Sequence, residues 1–214
     1  MVFGTKARLN KQEREIKVQY NSQKINVTKT YKYIGVTLDE SLCLNHHFNM
    51  VCKKVATRIR LLRKIRAYIT DAAALRIYQA FITPIVTYCS PTNFYHHPLR
   101  KSSLVNFEDR IKRITKSNIP SLLNLCEKKV CLTVFKSLDE TIPDFADYFQ
   151  RITHNIGTRN NGISLKLPKC KLESTKKAFF SNGASLFNQL PINIRSENDI
   201  SKFTKQLNKF YNLE

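Results

Sequence analysis

Several features that would identify a membrane protein or a secreted protein are missing from this sequence. The longest nearly apolar run covers the ten residues 80–89, and two threonines and a proline interrupt it. A helix that spans a bilayer needs about 20 apolar residues, so this run excludes one. Residues 1–6 contain no apolar stretch of the length that a signal peptide requires. We therefore expect an intracellular protein, nuclear or cytoplasmic, that is not secreted.

The signatures of common catalytic and nucleotide-binding sites are missing as well. The sequence has only five glycines, and neither G-x-x-x-x-G-K nor G-x-G-x-x-G occurs, so we expect no mononucleotide site. It has no G-x-S-x-G motif for a nucleophilic serine. A two-metal phosphoryl-transfer site needs converging carboxylates, and the sequence contains no Asp-Asp pair. Its adjacent acids are expected to be solvated caps and helix faces: Asp39-Glu40, Glu108-Asp109 and Asp139-Glu140.

The spacing of metal-ligating residues is incomplete. Four candidate ligands fall within ten residues, and two histidines follow in a predicted loop: Cys43, His46, His47 and Cys52, then His96 and His97. A structural zinc site normally has a second close pair of ligands, and the six cysteines form no C-x-x-C pair. We predict no metal site, and we expect most cysteines to be small core residues in a reducing compartment.

Positive charge is the strongest feature that the sequence does have. It carries 36 Lys and Arg against 16 Asp and Glu, which gives a formal net charge of +20. Such an excess repels itself in a compact fold unless a polyanion neutralises it. Nucleic acid is favoured over an anionic membrane, because no segment combines a broad apolar face with an interfacial tryptophan. The alternative is that the lysines only keep the surface soluble.

Hydrophobic periodicity predicts β-structure first and helices afterwards. Apolar residues alternate on both sides of Asn21-Ser22, which is a predicted turn. A further strand is predicted over 33–38, with Gly35 inside it and three apolar residues on one face: Ile34, Val36 and Leu38. Helices are predicted over 46–66, 71–85, 102–118, 120–138 and 143–149. The second of them is predicted to have Thr70 as its cap and a kink at Pro84. A short strand is predicted at 163–167, followed by helices over 179–190 and 200–210.

The helix predicted over 46–66 is the main candidate for binding nucleic acid. No acidic residue occurs from Ser41 to Thr70, although Glu–Lys pairs usually decorate a helix that is merely solvated. The first candidates share one stripe of this helix: Lys53, Arg60 and Lys64. The second candidates lie on the same helix: Lys54, Arg58 and Arg63. A further basic set lies on the helix at 102–118: Arg110, Lys112, Arg113 and Lys116. An amphipathic helix with a solvated cationic face remains the alternative interpretation.

The motif Tyr33-Ile34-Gly35-Val36-Thr37-Leu38-Asp39 resembles a strand that follows the polymerase palm in one family. That family is the reverse transcriptase of non-LTR retrotransposons, which are LINE-type, jockey-like transposable elements. Phe94 and Phe187 stand where its members usually carry tryptophan. Further similar residues follow in the family's order: His47, Leu61-Leu62-Arg63-Lys64, Tyr78, Phe81, Pro84, Ile85, Tyr88, Cys89, Ser90, Thr158-Arg159-Asn160, Leu167-Pro168, Gly183, Asn188-Gln189-Leu190-Pro191, Ile194-Arg195 and Phe203.

This resemblance implies that the parent family performs RNA-directed DNA synthesis. It implies that Tyr33, Ile34, Gly35 and Val36 lie beside a primer end, and that the basic helix belongs to a thumb-like region. Residues 1–4 resemble a stretch that follows the family's catalytic Tyr-x-Asp-Asp turn. We therefore expect the fingers, most of the palm and the catalytic carboxylates to be absent from this chain. The resemblance implies no catalytic residue and no cofactor here, since Mg²⁺ belongs to the full-length enzyme. It also implies that the missing palm and fingers are a partner of this chain.

We predict an α+β fold in three parts. A small β remnant of the palm covers 1–44, a mainly α-helical, basic, thumb-like bundle covers 45–150, and a helical tail module covers 151–214. The predicted function is that of a polymerase fragment that has lost catalysis and retains sequence-independent binding to RNA or DNA backbone, with no membrane partner. Two alternatives stay open, a free-standing basic RNA- or DNA-binding adaptor and a relic without function.

Overall fold

The computed structural model describes residues 1–11, 18–90, 100–139, 142–153, 162–171, 173–176 and 178–213. Within them the chain has the predicted α+β class, because helices predominate over two small antiparallel sheets. The chain divides into two compact units, Met1–Lys53 and Lys54–Glu214. This division lies inside the first long helix, and residues on both sides of the predicted boundary at 150 belong to the second unit.

A short helix at Lys6–Asn10 opens the chain, which the prediction of β-structure first did not include; after it the described elements follow the predicted order of strands and then helices. The strands are β1 Val18–Tyr20, β2 Gln23–Ile25, β3 Thr30–Tyr33 and β4 Val36–Asp39. The helices are α1 Lys6–Asn10, α2 Asn45–Ile65, α3 Asp71–Phe81, α4 Thr83–Thr87, α5 Arg100–Thr115, α6 Leu122–Leu138, α7 Glu173–Lys176, α8 Phe179–Gln189, α9 Ile192–Arg195 and α10 Ile200–Phe210, with 3₁₀ turns at Arg66–Tyr68 and Pro143–Tyr148. Of the described helices, none has the length and apolar character needed to cross a membrane.

Each small sheet is a single antiparallel hairpin with a two-residue turn. In the first hairpin Tyr20 pairs with Gln23, and Asn21 and Ser22 between them have φ values of 46° and 64°. Positive φ at both positions matches the twist of two strands in a tight hairpin, and asparagine tolerates it well. The turn predicted at Asn21-Ser22 is confirmed.

The single strand predicted from Tyr33 to Leu38 is wrong, because its centre is a second turn. Tyr33 pairs with Val36, and the intervening Ile34 and Gly35 have φ values of 43° and 77°. Glycine adopts this backbone form at little cost, whereas a β-branched residue rarely does. The chain reverses direction here, so Ile34 does not share a strand face with Val36 and Leu38.

The half-buried carboxylate of Asp39 orders the segment that follows β4. Asp39 accepts hydrogen bonds from the Ser41 hydroxyl at 2.7 Å and from the backbone N–H of Cys43 at 3.0 Å. Burial alone would raise the pKa of Asp39, but these bonds and those from the backbone of Leu44 and Ser41 outweigh it and hold the pKa below its ordinary value. The loop before α2 is therefore fixed by one acidic side chain.

The two hairpins should exchange their backbone hydrogens faster than the helices of the second unit. Every residue of β1, β2 and β3 is exposed, and an isolated two-stranded hairpin is marginally stable in water. Hydrogen exchange followed by mass spectrometry should show rapid labelling over 18–39 and slow labelling over 71–81 and 122–138. Equally slow exchange in both regions would contradict the prediction and would mean that the hairpins belong to a larger sheet.

The helices of the second unit begin and end close to the predicted positions. The Thr70 hydroxyl accepts a hydrogen bond from the backbone N–H of Ala73 at 3.3 Å, so the predicted cap of α3 is confirmed. Pro84 lies in the first turn of α4, after α3 has ended at Phe81. The predicted kink is therefore a break between two helices, because proline has no N–H for a helix interior.

The main core of the second unit forms where α8, α10 and the 3₁₀ turn after α6 pack around α6. The rings of Phe135 and Phe203 stack with centroids 4.2 Å apart, and Phe187 packs beside Phe203. Each such buried side chain contributes about 1.5–3 kcal/mol relative to exposure. Since this core joins residues 130–149 with the tail helices, the tail packs on α6 as one body.

Gly183 permits a close approach between α8 and α6. A Cβ atom at this position would lie 3.0 Å from Cγ2 of Val134, which is tighter than ordinary van der Waals contact. A glycine inside a helix lowers helix stability by about 1 kcal/mol relative to alanine. The contact explains why a residue with no side chain is accommodated in the middle of α8.

The predicted strand at 163–167 is reduced to a single antiparallel bridge between Arg151 and Leu165. Leu165 is held by the Asn188 side chain, which donates to its carbonyl and accepts from its N–H, both at 2.8 Å. A side-chain amide thus takes the place of a neighbouring strand. Arg195 adds a bond from its guanidinium to the Ser164 hydroxyl at 2.8 Å.

Candidate nucleic-acid interface

The position of α2 is set by apolar side chains at helical spacing. Val55, Ile59 and Leu62 are buried, and they follow one another at intervals of four and three residues, which places them on one face. The remaining faces carry the predicted contacts, all of which are exposed: Lys53, Lys54, Arg58, Arg60, Arg63 and Lys64. Lys53 is the last residue of the first unit, and the other five lie in the second.

A buried carboxylate fixes α5 against α6. Glu108 is only 7% exposed, and it accepts hydrogen bonds from the backbone N–H of Leu122 at 2.6 Å and from the Ser121 hydroxyl at 3.1 Å. It therefore caps the N-terminus of α6 from a neighbouring helix, where free N–H groups and the helix dipole favour a negative charge. The prediction that the Glu108-Asp109 pair is solvated is wrong for Glu108 and correct for the exposed Asp109.

Arg66 joins the end of α2 to the end of α5. Its Nε donates to the Ile114 carbonyl at 2.6 Å, and one terminal nitrogen donates to the Ile69 carbonyl at 2.7 Å. The other terminal nitrogen pairs with the Asp71 carboxylate. The planar guanidinium thus uses all three nitrogens on three separate partners, which a lysine could not do.

A groove of about 960 Å³ lies between the C-terminal parts of α2 and α5. Six of its eleven lining residues are basic and the other five are aliphatic. The lining residues are Ala56, Ile59, Arg60, Arg63, Arg66, Ala67, Ile69, Arg110, Arg113, Ile114 and Lys116. The groove belongs entirely to the second unit, and no acidic residue is among the described residues that line it.

Five of the six basic residues in the groove are available for a ligand. Arg66 is engaged as described, but the others make no ion pair or side-chain hydrogen bond to another described residue: Arg60, Arg63, Arg110, Arg113 and Lys116. Some of these cations also stabilise their own helices, because a cation near a helix C-terminus interacts favourably with the helix dipole by about 0.3–1 kcal/mol. Five unpaired cations around one groove nevertheless produce a field that attracts anions.

The structure brings together some predicted contacts and separates others. Arg60 and Arg63 line the groove with the basic set of α5, whereas Lys54 and Lys64 do not line it. Arg58 is used within the protein, since it donates to the Phe81 carbonyl at 2.8 Å and lies 5.8 Å from the Phe81 ring centroid. Of the predicted stripe of Lys53, Arg60 and Lys64, the groove therefore contains only Arg60.

Arg66 is the residue that sequence reasoning missed. It lies in the acid-free stretch from 41 to 70, which singled out the preceding cations, but nothing in its local pattern distinguishes it from them. Its partner Ile114 is 48 residues away. Local hydrophobic periodicity carries no information on a contact of that separation.

The residues predicted to resemble a primer grip form the tip of the β3–β4 hairpin. Tyr33 and Val36 are the last pair of the ladder, and Ile34 and Gly35 are the turn. Tyr33 and Ile34 are 59% and 70% exposed. This tip belongs to the first unit and the groove to the second. A role beside a primer end stays a prediction.

The described residues contain no group of three or more His, Cys, Asp or Glu side chains that could hold a metal ion. His47 is buried, and its Nδ1 accepts a hydrogen bond from the backbone N–H of Thr37 at 3.3 Å. Burial raises the pKa of both Cys126 and Cys131 to about 12, so these thiols stay protonated and unreactive at neutral pH. His96 and His97, which were weighed as candidate ligands, lie outside the described residues.

Comparison with protein-family models, curated proteins and solved structures finds no match to this chain. The likeness to non-LTR reverse transcriptases therefore stays a prediction from the quoted motifs.

Proposed function

We propose that the basic groove binds the phosphate backbone of nucleic acid without reading its sequence. The observation that carries this proposal is a set of five cations that have no partner among the described residues, around one groove whose described lining contains no acid. Arginine guanidinium groups donate in a planar fork that fits phosphate oxygens. Contacts to phosphate supply affinity and carry no sequence information.

The groove lies in the part of the chain that resembles a polymerase thumb. We propose that the chain corresponds to the end of the palm, the thumb and the tail of a non-LTR retrotransposon reverse transcriptase. Backbone binding by the groove would hold the nucleic acid for a catalytic centre built from other residues. The motifs quoted above and the net charge of +20 support this assignment.

Binding of the purified chain to unrelated oligonucleotides, followed by fluorescence anisotropy, tests backbone recognition. Affinities for different sequences of equal length should agree closely. The slope of log affinity against log salt should lie between about −3 and −5, because about five cations each displace counterions from one phosphate. A slope near zero, or a strong preference for one sequence, would contradict the proposal.

The chain alone should not extend a primer. The sequence contains no Asp-Asp pair, and the transfer needs carboxylates that hold two metal ions at the reacting phosphate. Incubation with primed poly(rA), deoxynucleotides and Mg²⁺ should therefore give no product above a reaction without protein. Template-dependent extension that survives repurification of the chain would refute this expectation.

A further inference from the structure

We propose that an exposed face of α2, separate from the groove, docks an acidic amphipathic helix of a partner protein. This face carries Leu61 and Ile65, and Phe81 at the end of α3 lies beside it. We call these three residues the apolar patch. The inference goes beyond the proposed function, because it names a protein partner at a second surface. It is carried by the exposure and spacing of the three side chains and by the charge around them.

The apolar patch consists of large side chains that the fold leaves exposed. Leu61 is 56% exposed, Ile65 42% and Phe81 57%. Leu61 and Ile65 are four residues apart in α2, so their side chains are neighbours on its surface. Arg58 precedes Leu61 by three residues and is its neighbour for the same reason. The Arg58 guanidinium donates to the Phe81 carbonyl at 2.8 Å and lies 5.8 Å from the Phe81 ring centroid, which links Phe81 to this face of α2.

The apolar patch is separate from the groove. None of its residues lines the groove, whereas Arg60 and Arg63 of the same helix do. Arg63 is two residues away from both Leu61 and Ile65, which places it about 160° from each of them around the helix axis. All of these residues belong to the second unit. Nucleic acid in the groove would therefore leave the apolar patch free for a partner.

The charge beside the apolar patch is entirely positive on α2. Lys54 lies seven residues before Leu61 and Lys64 three residues after it, so both are on the same side of the helix. Both are exposed, and neither makes an ion pair with another described residue. No acidic residue occurs from Ser41 to Thr70. A partner that brings carboxylates next to apolar side chains complements this surface, whereas a second copy of the chain would add another net charge of +20.

The dimensions of the apolar patch fit a helix better than a membrane. A helix that lies in a membrane interface uses a broad apolar face, and the apolar face of α2 that carries Val55, Ile59 and Leu62 is already buried. What remains is a narrow row with one side chain per turn. Two helices pack through such rows, and an amphipathic helix is recognised through apolar residues at intervals of three and four.

Selection of peptides from a phage library tests this inference on the purified chain at physiological salt. The library displays random segments of about 15 residues, or about four turns of helix. Selected peptides should combine acidic residues with apolar residues at helical spacing. The double variant Leu61→Ala and Ile65→Ala should bind them at least about tenfold more weakly, as expected when central apolar contacts are truncated. Val105→Ala, which shortens a side chain that is 52% exposed on α5, should match the unmodified chain.

Charge variants and nucleic-acid binding complete the test. Lys54→Ala together with Lys64→Ala should lower the peptide affinity and make it less dependent on salt. Joint replacement of Arg60, Arg110 and Arg113 by alanine should lower the peptide affinity less than this lysine pair does. The double variant of the apolar patch should keep the nucleic-acid affinity of the unmodified chain. Its helix content by circular dichroism should also be unchanged, because alanine favours helices.

Four outcomes overturn the inference. One is a selection that yields no acidic amphipathic peptides, and another is equal peptide affinity of the double variant and the unmodified chain. The third is binding to vesicles that contain phosphatidylserine which the double variant loses, because the apolar patch would then belong to a membrane surface. The fourth is a loss of nucleic-acid binding in the double variant. The first three leave the proposed function standing if the groove variant still binds nucleic acid more weakly. Failure of the unmodified chain to bind nucleic acid would refute the proposed function and leave this inference standing.

Discussion

Replacement of Arg60, Arg110 and Arg113 together by alanine should lower the affinity for nucleic acid by about tenfold to a hundredfold at low salt. The three residues come from both walls of the groove, and none has an ion-pair or side-chain hydrogen-bond partner among the described residues. A charge-assisted bond to phosphate is worth about 1 kcal/mol at such an exposed site. The salt slope should become shallower by about 2 units on a single strand and about 3 on a duplex, at about 0.7 and 0.9 per phosphate.

The matched control removes the same number of charges from α2 outside the groove. The triple variant Lys53→Ala, Lys54→Ala and Lys64→Ala leaves the groove lining intact, and its salt slope should change by less than about 1 unit. Circular dichroism on both variants should report unchanged helix content. A larger loss in the control than in the groove variant would move the binding surface to the stripe that the sequence predicts along α2.

Glu108→Ala should lower the free energy of unfolding by about 2–4 kcal/mol. The change removes a charged helix cap. It also leaves the buried backbone N–H of Leu122, which donates a hydrogen bond to Glu108 at 2.6 Å, without its partner. That is a large part of the total stability of a typical domain, which is about 5–15 kcal/mol. Urea denaturation followed by circular dichroism measures the loss as a lower midpoint at an unchanged slope.

Two variants of the same acidic pair calibrate this loss. Glu108→Gln keeps an acceptor oxygen and removes the charge, so it should retain part of the stability. Asp109→Ala changes the exposed neighbour and should alter the free energy of unfolding by less than about 0.5 kcal/mol. Equal midpoints for Glu108→Ala and Asp109→Ala would contradict the assignment of Glu108 as the cap of α6.

The helices could be predicted because their apolar residues recur at a regular spacing. On α2 the buried positions Val55, Ile59 and Leu62 follow that spacing, and Thr70 marks the start of α3 by its own chemistry. The β3–β4 hairpin could not be predicted in the same way. A turn with isoleucine at a positive φ breaks the usual preference, so Ile34 and Gly35 read as the interior of a strand.

The cations of the groove could be predicted, but their convergence could not. The basic residues of α2 and α5 stand out in the sequence as two separate sets. The two sets meet where Arg66, at the end of α2, bonds to the Ile114 carbonyl of α5, and Glu108 fixes α5 against α6 through Leu122. Each of these contacts joins segments that are far apart in the sequence. The sequence does not distinguish a glutamate that is buried as a cap from one that is solvated.

An NMR titration of ¹⁵N-labelled protein with a short oligonucleotide maps the nucleic-acid surface without any mutation. If nucleic acid binds in the groove between α2 and α5, the largest amide shift changes should fall in residues 56–69 and 110–116, which contain the groove lining. Changes confined to α8–α10, with the groove amides unmoved at saturation, would contradict binding in the groove.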